Sequence, residues 1–169
     1  VIEYVYIGFS VCSAGLLLAA ALHDIATRTI PNWIPASLAA TGLVLRVHDG
    51  RALLSMGVAL VVLVLFVVLW LRGLIGGGDA KLIPAASLAL PPSGVPGFVL
   101  SVSIVGGILA LVYLALSYVM RRPRPGPRHG FLARVIKAEA WRMHRRGPLP
   151  YGVAIAIGAF PAIARSFFE

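Results

Sequence analysis

The stretch ALLSMGVALVVLVLFVVLWL, Ala52 to Leu71, runs through twenty residues without a charge. About 20 mostly apolar residues in a helix match the hydrocarbon thickness of a bilayer. Lipid offers no partner to backbone polar groups, so such a run has to be helical. Comparable runs recur: Tyr4 to Leu22, Trp33 to Val47, Val95 to Met120 and Leu149 to Phe168. Leu82 to Leu90 is too short alone and spans only if its helix starts near Asp79, already below the membrane surface. The expected fold is all-α: a polytopic integral membrane protein of about six transmembrane helices, one domain over residues 1–169. The composition agrees, with 59% hydrophobic and 12% charged residues against about 45–50% and about 25% in soluble domains. Glu3 and the lack of a basic start argue against a cleaved signal peptide.

Charge orients the bundle. The net charge of +9 is read as topology, not as nucleic-acid binding, because basic residues collect in cytoplasmic loops. Nine basic residues fall between Arg121 and Arg146. Six spans place that segment, residues 121–148, on the same side as Arg28, Arg72 and Lys81. The opposite side keeps Arg46, Arg51 and Arg165. The rule then sets this side, with the 121–148 loop, in the cytoplasm. GFLARVIKAEAWRMH within the loop has helical periodicity and suits a helix lying on anionic lipid; a solvated retention signal is the alternative.

Acidic residues are few, and the chain has one cysteine. That cysteine, Cys12, reads as a small packing residue. Asp49 falls in the outer turn HDGR and reads as ordinary turn chemistry. Asp24 and Asp79 differ. Each follows an apolar span, and the topology brings both to the cytoplasmic end, with no basic neighbour required to neutralise them. An ionisable group at membrane depth costs about 2.5–3.5 kcal/mol on insertion scales, so it is a functional candidate with a partner. Here the partner of each is the other. Two carboxylates about 4 Å apart repel by about 4 kcal/mol at an effective dielectric of 20, about three pKa units. Such a pair shares one proton near neutral pH. One member can take a proton from water while the other donates to a carbonyl oxygen, as in aspartic proteases.

Around Asp79 the sequence reads LIGGGDAKLIP. Gly76, Gly77 and Gly78 admit close backbone approach, and glycine also permits the positive φ that re-aims a chain leaving a helix. A plain flexible turn is the alternative. Lys81 can bias the pair's protonation, meet an acidic group on a substrate, or snorkel to the surface. Asn32 can cap the second helix or touch substrate. Gly152, Ala154, Ala156 and Gly158 put small residues on the last helix, a pattern of close packing that lets this helix approach the aspartates.

Three segments resemble the prepilin peptidase (type IV leader peptidase) family, membrane aspartic proteases with a GxGD motif. DIATRTIPNW resembles the family's first-aspartate segment, GGGDAKL its Gly-x-Gly-Asp-x-Lys-Leu pattern, and PYGVAIAIGA its late Pro-Tyr-Gly helix. The resemblance implies a GxGD bundle that cuts the positively charged leader from pilin-like precursors at the inner membrane face. The cut usually follows a glycine and precedes a long hydrophobic helix. Asp24 and Asp79 would be the catalytic pair. Pro31, Asn32, Gly76, Gly78, Lys81, Pro150, Tyr151 and Gly152 would support it or bind substrate. The short chain is similar to the compact bacterial type serving Flp (Tad) pili; an archaeal preflagellin peptidase would look similar. The paired-cysteine insert of larger, methylating members has no counterpart, so no methyl donor or other cofactor is expected.

Other classes account for fewer of these features. His23 beside Asp24 raises a metal site, but His129 and His144 would have to fold back from the basic loop to complete it, so none is expected. A proton-coupled transporter also uses paired carboxylates, usually near mid-membrane between repeats; no repeat is present and both aspartates sit at one end. A passive scaffold, with Asp79 only capping a helix, is the remaining alternative.

Overall fold

The computed structural model describes residues 2–119 and 149–165. Six α-helices lie among the described residues: α1 (Ile2–Thr27), α2 (Trp33–His48), α3 (Ala52–Leu71), α4 (Asp79–Ala89), α5 (Val95–Val119) and α6 (Tyr151–Arg165). The basic segment 121–148, with its expected surface helix, lies outside them.

Three helices are long and apolar enough to cross a membrane: α1 over Tyr6–Thr27, α3, and α5 with the turn before it, over Pro92–Tyr118. Only 17% of the α3 window and 11% of the α5 window are buried within the bundle. The remaining apolar surface is what lipid would cover. Over the described residues α2, α4 and α6 cover 16, 11 and 15 residues, less than the length of about 20 that spans unaided. The chain is an all-α polytopic membrane protein, with three full-length spans among the described residues.

Around the bundle, α1 packs between α2 and α6, and α5 covers the other side of α6. Helix α4 lies between α2 and α3 and also touches α6 and α1. Every residue of α4 from Leu82 to Ser87 is buried. A helix enclosed on all sides is apolar all round and shows no amphipathic stripe. The central core joins Leu17, Leu38, Leu82, Ile83, Phe98 and Ile155, one or two from each of five helices.

Backbone chemistry sets where helices stop. Gly73 (φ +70) and Gly50 (φ +66) end α3 and α2 in the left-handed region. Gly73 N–H donates to the Trp70 carbonyl (2.8 Å) and Leu74 N–H to that of Leu69 (3.0 Å), a Schellman closure. The positive φ thus falls at Gly73 and not in the Gly76–Gly78 run; Gly78 is right-handed helical, φ −66. At the end of α1 the left-handed residue is Arg28, φ 58, which costs roughly 1–2 kcal/mol over a right-handed residue.

At the opposite end, Asp49 does more than shape a turn. Arg46, 1% exposed, pairs with Asp49 at 2.7 Å and donates to the Tyr6 hydroxyl at 2.8 Å. Tyr6 in turn donates to Asp49 at 2.8 Å. This triad ties α1 to the α2–α3 turn. Cys12, expected to pack inside, is exposed.

The tightest helix contact is α2 on α4. A Cβ on Gly42 would sit 2.5 Å from the Ala89 backbone nitrogen and 2.6 Å from the Leu88 carbonyl carbon. Neither atom belongs to a side chain that can swing away. Gly42→Ala is expected to destabilise the protein by about 1–3 kcal/mol. Its thermal midpoint in detergent should fall, while Gly57→Ala, where a Cβ meets nothing within 4 Å, should not lower it.

Candidate active site

One end of the bundle gathers the connection after α1, the α3–α4 connection and the start of α6. They enclose a cavity of about 730 Å³ that includes Asp24, Asp79, Gly76–Gly78, Lys81 and Tyr151 in its lining.

Asp24 is in the last turn of α1 and only 6% exposed. Its Oδ2 accepts the Gly152 N–H at 2.8 Å. Gly152 is the second residue of α6, and N–H groups of a first helical turn have no partner inside their own helix. A carboxylate from a distant part of the chain therefore caps α6, where the helix dipole also favours negative charge. The contact depends on glycine: a Cβ at Gly152 would lie 3.0 Å from Asp24 Cβ and 3.1 Å from its Oδ2.

Asp79 opens α4 at the mouth of the cavity, outside the three spanning helices. Its carboxyl is pushed up from 3.8 to about 7, first by burial and then by the negative charge of Asp24; a hydrogen bond from the Gly76 backbone opposes the shift. Repulsion between the two acids was the expected cause; burial outranks it. The negative charge of Asp24 reaches Asp79 across the shared cavity.

The three glycines serve by lacking side chains. A Cβ on Gly76 would meet Asp79 Oδ2 at 2.9 Å, one on Gly77 the Trp70 indole nitrogen at 3.1 Å, and one on Gly78 the Ile30 side chain at 3.2 Å. Lys81 Nζ donates to Asn32 Oδ1 at 3.1 Å, tying the start of α4 to the loop before α2. Asn32 stands at the N-cap position but makes no side-chain cap; its amide oxygen is used by Lys81. The Pro31 and Pro150 carbonyls accept first-turn N–H groups from Ile34 and Val153, both at 3.1 Å. Both prolines shape helix starts and stand outside the cavity lining. Tyr151 lines the cavity, and its ring lies against Gly106 of α5, where a Cβ would come 2.6 Å from the hydroxyl. The small-residue face of α6 behaves as expected: Gly152 meets Asp24, and a Cβ on Gly158 would meet Val102 at 2.7 Å. His23 Nδ1 bonds the Thr29 carbonyl at 2.8 Å and Thr27 Oγ1 at 2.9 Å, within its own loop.

Arg28, a topological charge in the sequence and the basic residue of the DIATRTIPNW segment, lines the same cavity together with Thr29, Ile30 and Leu149. Its guanidinium donates to the Tyr113 hydroxyl of α5 at 3.4 Å and lies 6.0 Å from that ring's centroid. Lys81 is expected beside the aspartates from the sequence, and Arg28 shares their cavity with it. The legible signal was a cation one helical turn after Asp24.

An all-α membrane protein with two acidic side chains in one cavity, one of them pushed up to about 7, has the parts of a membrane aspartic hydrolase. The sequence profile of the type IV leader peptidase family matches residues 11–111, α1 into α5 with both aspartates, and the chain belongs to that family. It is an aspartic endopeptidase of the prepilin-peptidase type, cutting the leader from prepilins. No curated protein and no solved structure matches the chain.

The Pro-Tyr-Gly segment lies beyond the matched residues, so its link to Asp24 rests on geometry. Gly152→Ala is expected to displace the Asp24 carboxylate and slow precursor cleavage about 100-fold, the cost of a misplacement near 1 Å. Gly107→Ala, where a Cβ meets nothing within 4 Å, should cleave at the parent rate. Immunoblots of precursor and mature pilin, with enzyme level measured in the same membranes, check both.

Proposed function

We propose that Asp24 and Asp79 are the catalytic pair and that they hydrolyse one peptide bond of a pilin-like precursor through activated water, without an acyl-enzyme. The observation that carries this reading is their shared cavity, in which the charge of Asp24 helps keep the proton on Asp79. Asp79 is then the acid that donates to the scissile carbonyl oxygen. Asp24, held by the α6 N-terminus, is the base that takes a proton from water. Proton transfer in the two directions leaves the pair ready to reverse roles when the amine departs.

The glycine run supports the substrate side of the reading. With no side chains at 76–78, an extended peptide can lie close to the backbone in front of Asp79. The bond cut lies between the basic leader and the hydrophobic helix that the precursor leaves in the bilayer. The pattern of basic residues supports a cytoplasmic-face site at the inner membrane, six crossings in which α2, α4 and α6 are the short members, and a basic loop resting on anionic lipid. Residues 1–169 form one membrane domain in this reading; Lys81 and Tyr151 line the walls that receive substrate, and Asn32, Pro31 and Pro150 support them from behind.

Asp24→Asn and Asp79→Asn are each expected to leave precursor uncut while the protein still accumulates in membranes. Normal processing by either variant would remove that aspartate from the mechanism. The pH dependence follows from Asp79. An acid raised to about 7 holds its proton below that value and loses it above. Cleavage in detergent is therefore expected to decline through pH 7 and, well above it, to fall about tenfold per pH unit. A rate that stays flat from pH 6 to about pH 9 would contradict a protonated Asp79 as the acid.

A further inference from the structure

Arg28 stands in an unusual place. It is the one non-glycine residue with positive φ among the described residues, at 58°. Its N–H closes the end of α1 on the Asp24 carbonyl at 2.9 Å. The same residue sends its guanidinium to Tyr113 of α5 and lines the cavity that holds both aspartates. Where α2 and α3 stop with a left-handed residue, the chain uses glycine, which has no Cβ to clash. A β-carbon-bearing residue kept in this region is retained by its surroundings, and such outliers cluster at functional sites.

We infer that Arg28 is a positioning residue for Asp24, latched by Tyr113. The inference rests on the reading of Asp24 as the catalytic base. Asp24 is gripped from two sides. The end of α1 holds its backbone through Arg28, and the start of α6 holds its carboxylate through Gly152. Helix α5 braces both grips: Tyr113 meets Arg28, and Gly106 receives the Tyr151 ring beside Gly152. One helix thereby fixes the angle between the two elements that aim the carboxylate. A planar guanidinium suits the task because it can meet a ring face and a hydroxyl together.

The full chain, purified in detergent and given a prepilin precursor, separates positioning from stability. Arg28→Gly removes the latch and suits the backbone conformation. Its Tm should be no lower than the parent's, while kcat falls by about tenfold or more and KM holds. Tyr113→Phe should lower kcat by less. The double variant should be no slower than Arg28→Gly alone, because both changes break one contact. Parent-like kcat in Arg28→Gly would overturn the inference. So would a loss of kcat that comes with a lowered Tm, or losses that multiply in the double variant. Asp24→Asn, run alongside, separates the two readings: cleavage by that variant would instead remove the role of Asp24 on which the inference stands.

Discussion

A single hydrogen bond, from the Gly152 amide to Asp24, joins residues 128 apart in sequence and gives the site its form. It supplies a partner to an amide that a helix start leaves unpaired and pins the carboxylate that faces the cavity. Because the donor is a backbone group, its placement depends on how α6 packs, and that packing depends on residues without bulk. Gly152 allows α1 to come close, and Gly158 allows α5 to come close. Close helix approach through small residues is the usual route to association in lipid, where apolar burial between helices gains little.

The two aspartates are held in different ways, and in the proposed mechanism this difference sets their roles. Asp24 lies at the end of a long helix and borrows an amide from another. Asp79 begins a short helix and takes its hydrogen bond locally, from Gly76. Its partial burial, added to the nearby negative charge, keeps the proton there near neutral pH. A fold that placed both acids in the same surroundings would leave the choice of acid and base to small fluctuations. Here unequal surroundings separate the pair.

Helix α4 explains why the catalytic end can be crowded while the rest of the protein faces lipid. It is shorter than a helix that spans a bilayer unaided, yet it fills the middle of the bundle between α2 and α3. Gly42 lets α2 lie on the backbone of its last turn, and the Lys81–Asn32 bond fastens its first. At the far end of the bundle, Tyr6, Arg46 and Asp49 form a buried polar triad that joins α1 to the α2–α3 turn. Buried Arg46 meets both the Tyr6 hydroxyl and the Asp49 carboxylate there, at the end opposite the site.

Much was legible in the chain itself. Long uncharged runs dictate helices in lipid, and the rarity of acids singled out Asp24 and Asp79. The Gly-Gly-Gly-Asp and Pro-Tyr-Gly segments carried the family resemblance. Local sequence also marks where α2 and α3 end, since a left-handed residue favours glycine whatever surrounds it. What it does not carry is distance between remote residues. That Gly152 donates to Asp24, that Asn32 serves Lys81 and not its own helix, and that Arg28 reaches Tyr113 are outcomes of how helices cross. For Gly76, Gly77 and Gly78 the sequence offers both close approach and freedom of φ; packing selects close approach, with the Asp79, Trp70 and Ile30 side chains 2.9–3.2 Å from where a Cβ would sit. Propensity and hydropathy act over a few residues along the chain; steric exclusion and electrostatic reach act through space, and only the assembled bundle defines them.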